Sequence, residues 1–243
     1  MKTIDVFTLF PEWFDWFRGQ RHVANAERDG LELRTFGWRE TTPLTGGQVD
    51  DAPYGGGAGM VLRVDVVDAA LRAAYGEARA PTRVVLLAPS GRQFDERLAS
   101  ELAAEPHVAL LCGRYEGVDE RVRERLATDA ISIGPYVLSG GELAAMVVAD
   151  AVIRKLPGAL GHAESALEES FSDALGGAPE YPHYTRPPTY RGWEVPEVLR
   201  SGDHEGVRRW RLEQSRERAR RAAEERERAA AEDRTRRAEA GSG

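Results

Sequence analysis

Residues 110–122 read LLCGRYEGVDERV: an apolar run of strand type stops at Gly113 and gives way to a loop that carries a second glycine, Gly117. Open α/β sheets bind ligands at the carboxyl ends of their strands, so this loop is placed where a ligand would lie, with Glu116 turned toward it. Residues 131–146, ISIGPYVLSGGELAAM, repeat the layout with a short strand, a bent loop holding Gly134 and Pro135, and Gly140 and Gly141 opening a helix. Two such loops can clamp one flat ligand.

Working outward, the first 155 residues alternate strand-like and helix-like segments. IDVFTLF, a helical pattern near Trp13 to Phe17, LELRTF and a glycine-rich loop lead to a helix from about Val64. RVVLLAP, a helix near Asp95 to Ala104, HVALLC, a charged helix from Val118, AISI and a helix from Glu142 to Lys155 follow. That order predicts an α/β domain with a mainly parallel sheet over residues 1–157.

The pattern stops around Pro157 to Ser170, and residues 158–170 read as a flexible linker. Residues 171–221 read as a helical domain, with a proline-rich aromatic stretch from Pro179 to Pro196 and a helix-capable run from about Asp203. The tail, 222–243, is almost wholly Ala, Arg and Glu at helical spacing, which suits either a solvated helix or disorder.

Composition narrows the function. A hydrophobic content of 42% is enough for a genuine core. The longest nearly apolar stretch, Leu143 to Ile153, is far shorter than the ~20 residues that span a bilayer. The start, MKTIDVFTLFPEWF, lacks the parts of a signal peptide, which predicts a cytoplasmic protein. A single cysteine, Cys112, excludes an intrachain disulfide and a multi-cysteine zinc site, and reads as a core thiol. The net charge of −7 argues against nonspecific coating of nucleic acid. Yet seven arginines against Glu213 and Glu217 lie between Arg208 and Arg221, a local surface suited to RNA.

The segment DDAPYGGGAGM, Asp50 to Met60, fits neither the dinucleotide fingerprint nor the P-loop, and no lysine follows it to reach a phosphate. On its own it also fits a plain turn-rich connector.

Six segments, PYGGGAGM (53–60), APSGR (88–92), GRYEGVDERV (113–122), SIGPYVLSGGE (132–142), PHYTRP (182–187) and VLRSGDHEGVRRWRLEQS (198–215), occur in one order. Together they resemble the bacterial tRNA guanine-N1 methyltransferases of the trefoil-knot, or SPOUT, superfamily, over roughly residues 1–220. The resemblance implies a knotted α/β domain, an exception to the rule against knots, followed by a small all-helical domain that helps hold tRNA. It implies S-adenosylmethionine bent into three loops: Pro89, Ser90 and Gly91; Gly113, Tyr115, Glu116 and Gly117; and Ile133 through Leu138 (Ile133, Gly134, Pro135, Tyr136, Val137, Leu138) with Gly140 and Gly141. A homodimer with active sites between subunits is implied as well, and so is magnesium dependence, although no dedicated ligand cluster is visible.

For the chemistry, the resemblance implies an arginine and an aspartate. Aligning GHAESALEESF (161–171) with the family's linker puts the arginine at Arg154 and sets Glu169 where the aspartate belongs. A carboxylate there can accept the guanine N1 proton while the arginine stabilises charge on O6. Glu168 and Asp173 are alternatives for the carboxylate, and a cation favoured by the helix dipole is the plain alternative for Arg154. The tRNA contacts so implied are Ser165, Arg186, Arg208 and Arg209, with His183 and Tyr184, a mix suited equally to stacking on bases and to packing between domains.

The chain departs from the family in Glu169, in Pro135 where the family loop has aspartate, in a longer 172–187 segment and in the charged tail. Two rivals follow: a noncatalytic tRNA-binding paralogue, and a knotted methyltransferase with another RNA target.

Overall fold

The computed structural model describes residues 2–76, 81–160 and 169–240. In chain order the first part runs β1 (Lys2–Thr8), α1 (Trp13–Arg18), α2 (Arg21–Arg28), β2 (Leu31–Gly37), β3 (Asp50–Asp51), β4 (Val61–Leu62) and α3 (Val64–Tyr75). It continues with β5 (Arg83–Gln93), α4 (Glu96–Ala104), β6 (His107–Cys112), β7 (Asp129–Ser132) and α5 (Glu142–Ile153). Five strands form one sheet in the order β2-β1-β6-β5-β7, each neighbouring pair parallel.

The strand runs are apolar at consecutive positions because helices cover both faces of the sheet. Ile4 and Val6, Val85 and Leu87, and Val108, Leu110 and Cys112 face one layer, filled by Phe14, Phe17, Leu98, Leu102, Val148 and Val152. Phe7, Val84, Leu86, Ala109 and Leu111 face the other, filled by Val66, Val67 and Ala70 of α3 and by Trp38. Cys112 is a core thiol, and burial pushes its pKa well up.

Three segments differ from the sequence reading. The charged stretch from Val118 forms no regular helix, because main-chain bonds tie Gly117 and Asp119 to Leu62 and leave one wide turn, Val122–Leu126. Helix α2 escapes the sequence pattern because only Val23 and Ala26 of its residues are buried. Strand β5 runs on to Gln93, and between Leu87 and Arg92 it leaves register with β7.

The chain divides into two compact units, Met1–Gly161 and His162–Gly243. The second is mainly helical but also holds a hairpin, β8 (Thr189–Tyr190) with β9 (Trp193–Glu194). Arg191 and Gly192 turn it, both at positive φ, as tight hairpins demand. Strands of two residues carry no alternation to read, so the sequence pointed to helices alone. Helix α6 (His204–Ala240) is capped by the Asp203 carboxylate, which accepts from the Glu205 and Gly206 amides. It continues as far as Ala240, into the charged tail. No helix among the described residues is long and apolar enough to cross a membrane.

Candidate active site

A cleft of about 280 Å³ opens at the carboxyl ends of β5, β6 and β7. Pro89 and Ser90 line it from the stretch of β5 that leaves register with β7, where the sequence pattern pointed to a first loop; Gly113, Tyr115, Glu116 and Gly117 line it from the second, and Ile133, Gly134, Tyr136, Val137, Leu138, Gly140 and Gly141 from the third. Two expected residues stand outside it. Gly91 packs onto the neighbouring strand: a Cβ there would lie 2.4 Å from the Ile131 amide nitrogen. Pro135 is exposed at the bend of the third loop and does not line the cleft.

Each loop is held by specific bonds. In the third, the Ser132 hydroxyl donates to the Gly134 carbonyl at 3.0 Å, and the Tyr136 amide donates to the same oxygen at 2.9 Å. The Tyr136 ring folds over Gly134, where a Cβ would lie 2.2 Å from Cε1, so a side chain at 134 would have to displace the exposed ring. The Gly141 amide donates to the Gly113 carbonyl at 2.8 Å and fastens the third loop to the second.

The second loop is also joined to the glycine-rich segment. The Glu116 amide donates to the Met60 carbonyl at 3.0 Å, and the Glu116 side chain lies against Gly59, whose φ is +82°. Burial raises the Tyr115 phenol's pKa, and the Asp50 carboxylate adds to the shift. The end of the segment that sequence could treat as a plain connector, Gly59 and Met60, therefore packs on Glu116, a cleft residue.

Sequence reasoning missed Arg114 and Glu142. The Glu142 carboxylate, 1% exposed, accepts from Thr8 Oγ1 at 2.9 Å and from Arg114 Nε at 3.0 Å. The available signal was the solitary acid at the start of the apolar run ELAAM, since a charge in such company needs partners.

Arg154 follows the last turn of α5, exposed, its amide donating to the Asp150 carbonyl at 3.0 Å. Glu169 belongs to the second unit, where its carbonyl accepts from the Ser172 amide at 3.1 Å. Ser165 and most of the expected linker lie outside the described residues. His183 pairs with Glu180 at 2.8 Å, and Tyr184 packs beside Trp210 of α6 with ring centres 6.3 Å apart. Arg186 is exposed, as are Arg208 and Arg209, which have no acidic partner among the described residues. Other arginines of the run are engaged: Arg211 lies over the Tyr181 ring, and Arg220 and Arg221 pair with Glu217. Among the described residues no group of three His, Cys, Asp or Glu side chains could hold a metal ion.

Comparison with known proteins agrees with this architecture. The family described as tRNA (Guanine-1)-methyltransferase TrmD matches residues 1–227. A tRNA (guanine-N(1)-)-methyltransferase of Brevibacillus brevis is 50% identical over 221 residues, covering 90% of this chain and 89% of the relative. Proteins of the same name from Bacillus cereus strain AH820 and Bacillus anthracis strain A0248 are each 48% identical over 213 residues, covering 87% of this chain and 86% of their own. A match of this extent and identity leaves one conclusion: the chain belongs to the tRNA (guanine-1)-methyltransferase family.

Proposed function

We propose that the chain transfers a methyl group from S-adenosylmethionine to N1 of the tRNA guanine immediately 3′ of the anticodon, position 37. One observation carries this reading. In a member of this family, the segments at β5, β6 and β7 enclose a cleft lined by main chain, glycines and apolar side chains together with Arg114, Glu116, Glu120 and Arg123, which suits a flat adenosine that carries a charged amino-acid end. S-adenosylmethionine, when bound, supplies a methyl group that is already electrophilic on its sulfonium.

The remaining chemistry belongs to the chain. Guanine N1 must lose its proton as it takes the methyl group, and Glu169 accepts that proton. Arg154 stabilises the negative charge that shifts onto O6. The second unit's exposed Arg186, Arg208 and Arg209, with Ser165, His183 and Tyr184, hold the tRNA backbone and bases.

The path through the three loops is a trefoil knot in this reading. What supports it is membership of the family, whose resemblance implies the knot. A homodimer completes the site. Its support is α5, apolar nearly all round yet leaving Leu143 and Val147, one turn apart, 53% and 47% exposed, while α1, packed on α5, exposes Trp16. A cytoplasmic location follows from the substrate. Among the described residues no group of three or more His, Cys, Asp or Glu side chains is gathered to hold a metal ion, and nothing in the structure supports a magnesium step.

Primer extension tests the reading, because a methyl group on N1 blocks the pairing edge of guanine. Incubation of a tRNA transcript with the protein and S-adenosylmethionine is expected to create one strong stop, 3′ of the target guanine. Read-through despite tRNA binding would favour the noncatalytic reading, which the glutamate at 169 and the proline at 135 keep in view.

A further inference from the structure

An acid in the first turn of a helix is ordinarily explained by the helix dipole, and such acids sit at the surface. Glu142 opens α5 but is 1% exposed, and each of its oxygens has a separate partner. Oε1 accepts from the Thr8 hydroxyl at 2.9 Å, and Oε2 accepts from Arg114 Nε at 3.0 Å. Arg114 reaches further: Nη1 donates to the Ser139 carbonyl at 3.2 Å, and the guanidinium lies 4.5 Å from the Phe10 ring centre and 5.1 Å from that of Trp13. Nothing between them is loose. A Cβ on Gly140 would lie 2.3 Å from Arg114 Nε and 2.5 Å from Glu142 Oε2.

One buried carboxylate thus ties three segments together: the end of β1, the loop after β6 and the loop before α5. The two loops are walls of the cleft. A buried ion pair is poor glue for a fold, since an apolar pair of the same volume often serves as well or better, but it is a good device for fixing one arrangement among several. We infer that Glu142 is a positioning residue, setting the spacing of the two cleft loops through Arg114 and thereby the affinity for the methyl donor. The donor's part of this rests on the proposed function; the spacing of the loops does not.

Two variants test it. Glu142→Gln keeps the volume and removes the charge; Arg114→Lys, at a partly exposed position, keeps the charge and loses the fork that reaches both Glu142 and Ser139. In both, with no ligand added, amide exchange over residues 113–117 and 134–141 is expected to rise roughly tenfold relative to the rest of the sheet, and in Glu142→Gln, which leaves the Arg114 charge without its buried partner, the melting temperature is expected to fall by about 5 °C or more. S-adenosylmethionine should bind roughly tenfold or more weakly by calorimetry, raising its KM while kcat changes by less than about threefold. Exchange in those loops that matches the wild type, or that rises equally throughout the sheet, overturns the inference. A wild-type protein that fails to bind S-adenosylmethionine while the variants still loosen the loops counts against the proposed cofactor and leaves the positioning role standing.

Discussion

Glu169 and the aspartate that the family resemblance places there carry the same charge and differ by one methylene. The longer arm can deliver its oxygen to guanine N1 from a slightly withdrawn main chain, so the base role survives the exchange in this account. Glu169→Gln is expected to slow single-turnover methyl transfer by roughly 100-fold or more while donor affinity stays nearly unchanged, as removal of a general base should. Rates equal to wild type would transfer the role to Glu168 or Asp173. A second residue-scale prediction concerns Asp5, 0% exposed on β1. Arg34 donates to it through Nε and Nη2 at 2.7 and 2.8 Å, Tyr75 donates at 2.6 Å, and His107 Nε2 lies 2.6 Å away. Burial opposes the charge, but these partners outweigh it and hold the carboxyl below its ordinary 3.8. A carboxyl with a depressed folded pKa adds stability that is complete above the unfolded pKa and is lost as pH falls through the folded one. Melting temperature should therefore drop below about pH 4, and Asp5→Asn should flatten that acid limb. An unchanged limb in the variant would remove Asp5 from the explanation.

Among the elements, β5 and β7 approach closely at Gly91, beside the cleft. Gly91→Ala would drive a methyl group to 2.4 Å from the Ile131 nitrogen, a main-chain atom that cannot swing aside. A loss of about 1–3 kcal/mol is expected, read as a lower urea midpoint with an unchanged slope; full stability would mean that β5 is free to shift there. The same strands explain what the sequence could tell. RVVLLAP and HVALLC announce themselves because doubly covered strands are apolar at every position. Helix α2, with two buried residues, and the hairpin at Arg191 and Gly192, with two-residue strands, leave no period to detect. The segment after Val118 has helical composition, yet its bonds to Leu62, distant in sequence, decide its shape.

For the molecule as a whole, the glycines that shape the cleft were legible because they punctuate motifs at strand ends. The Thr8, Arg114 and Glu142 group was not, since those residues meet only once β1, β6 and α5 are assembled. Gly91 and Pro135 lie within the same motifs by sequence and outside the cleft in space, one turned to a strand and the other to solvent. Association of two chains belongs to this scale too. Leu143→Glu combined with Val147→Glu should halve the mass measured by light scattering, and a wild-type protein of single-chain mass would contradict the dimer. The central claim is most directly tested by following labelled methyl groups from S-adenosylmethionine to two tRNA transcripts, one with guanine immediately 3′ of the anticodon and one with adenine. Label on the guanine transcript alone is the predicted result; label on neither, with both transcripts bound, or on both alike, would contradict it.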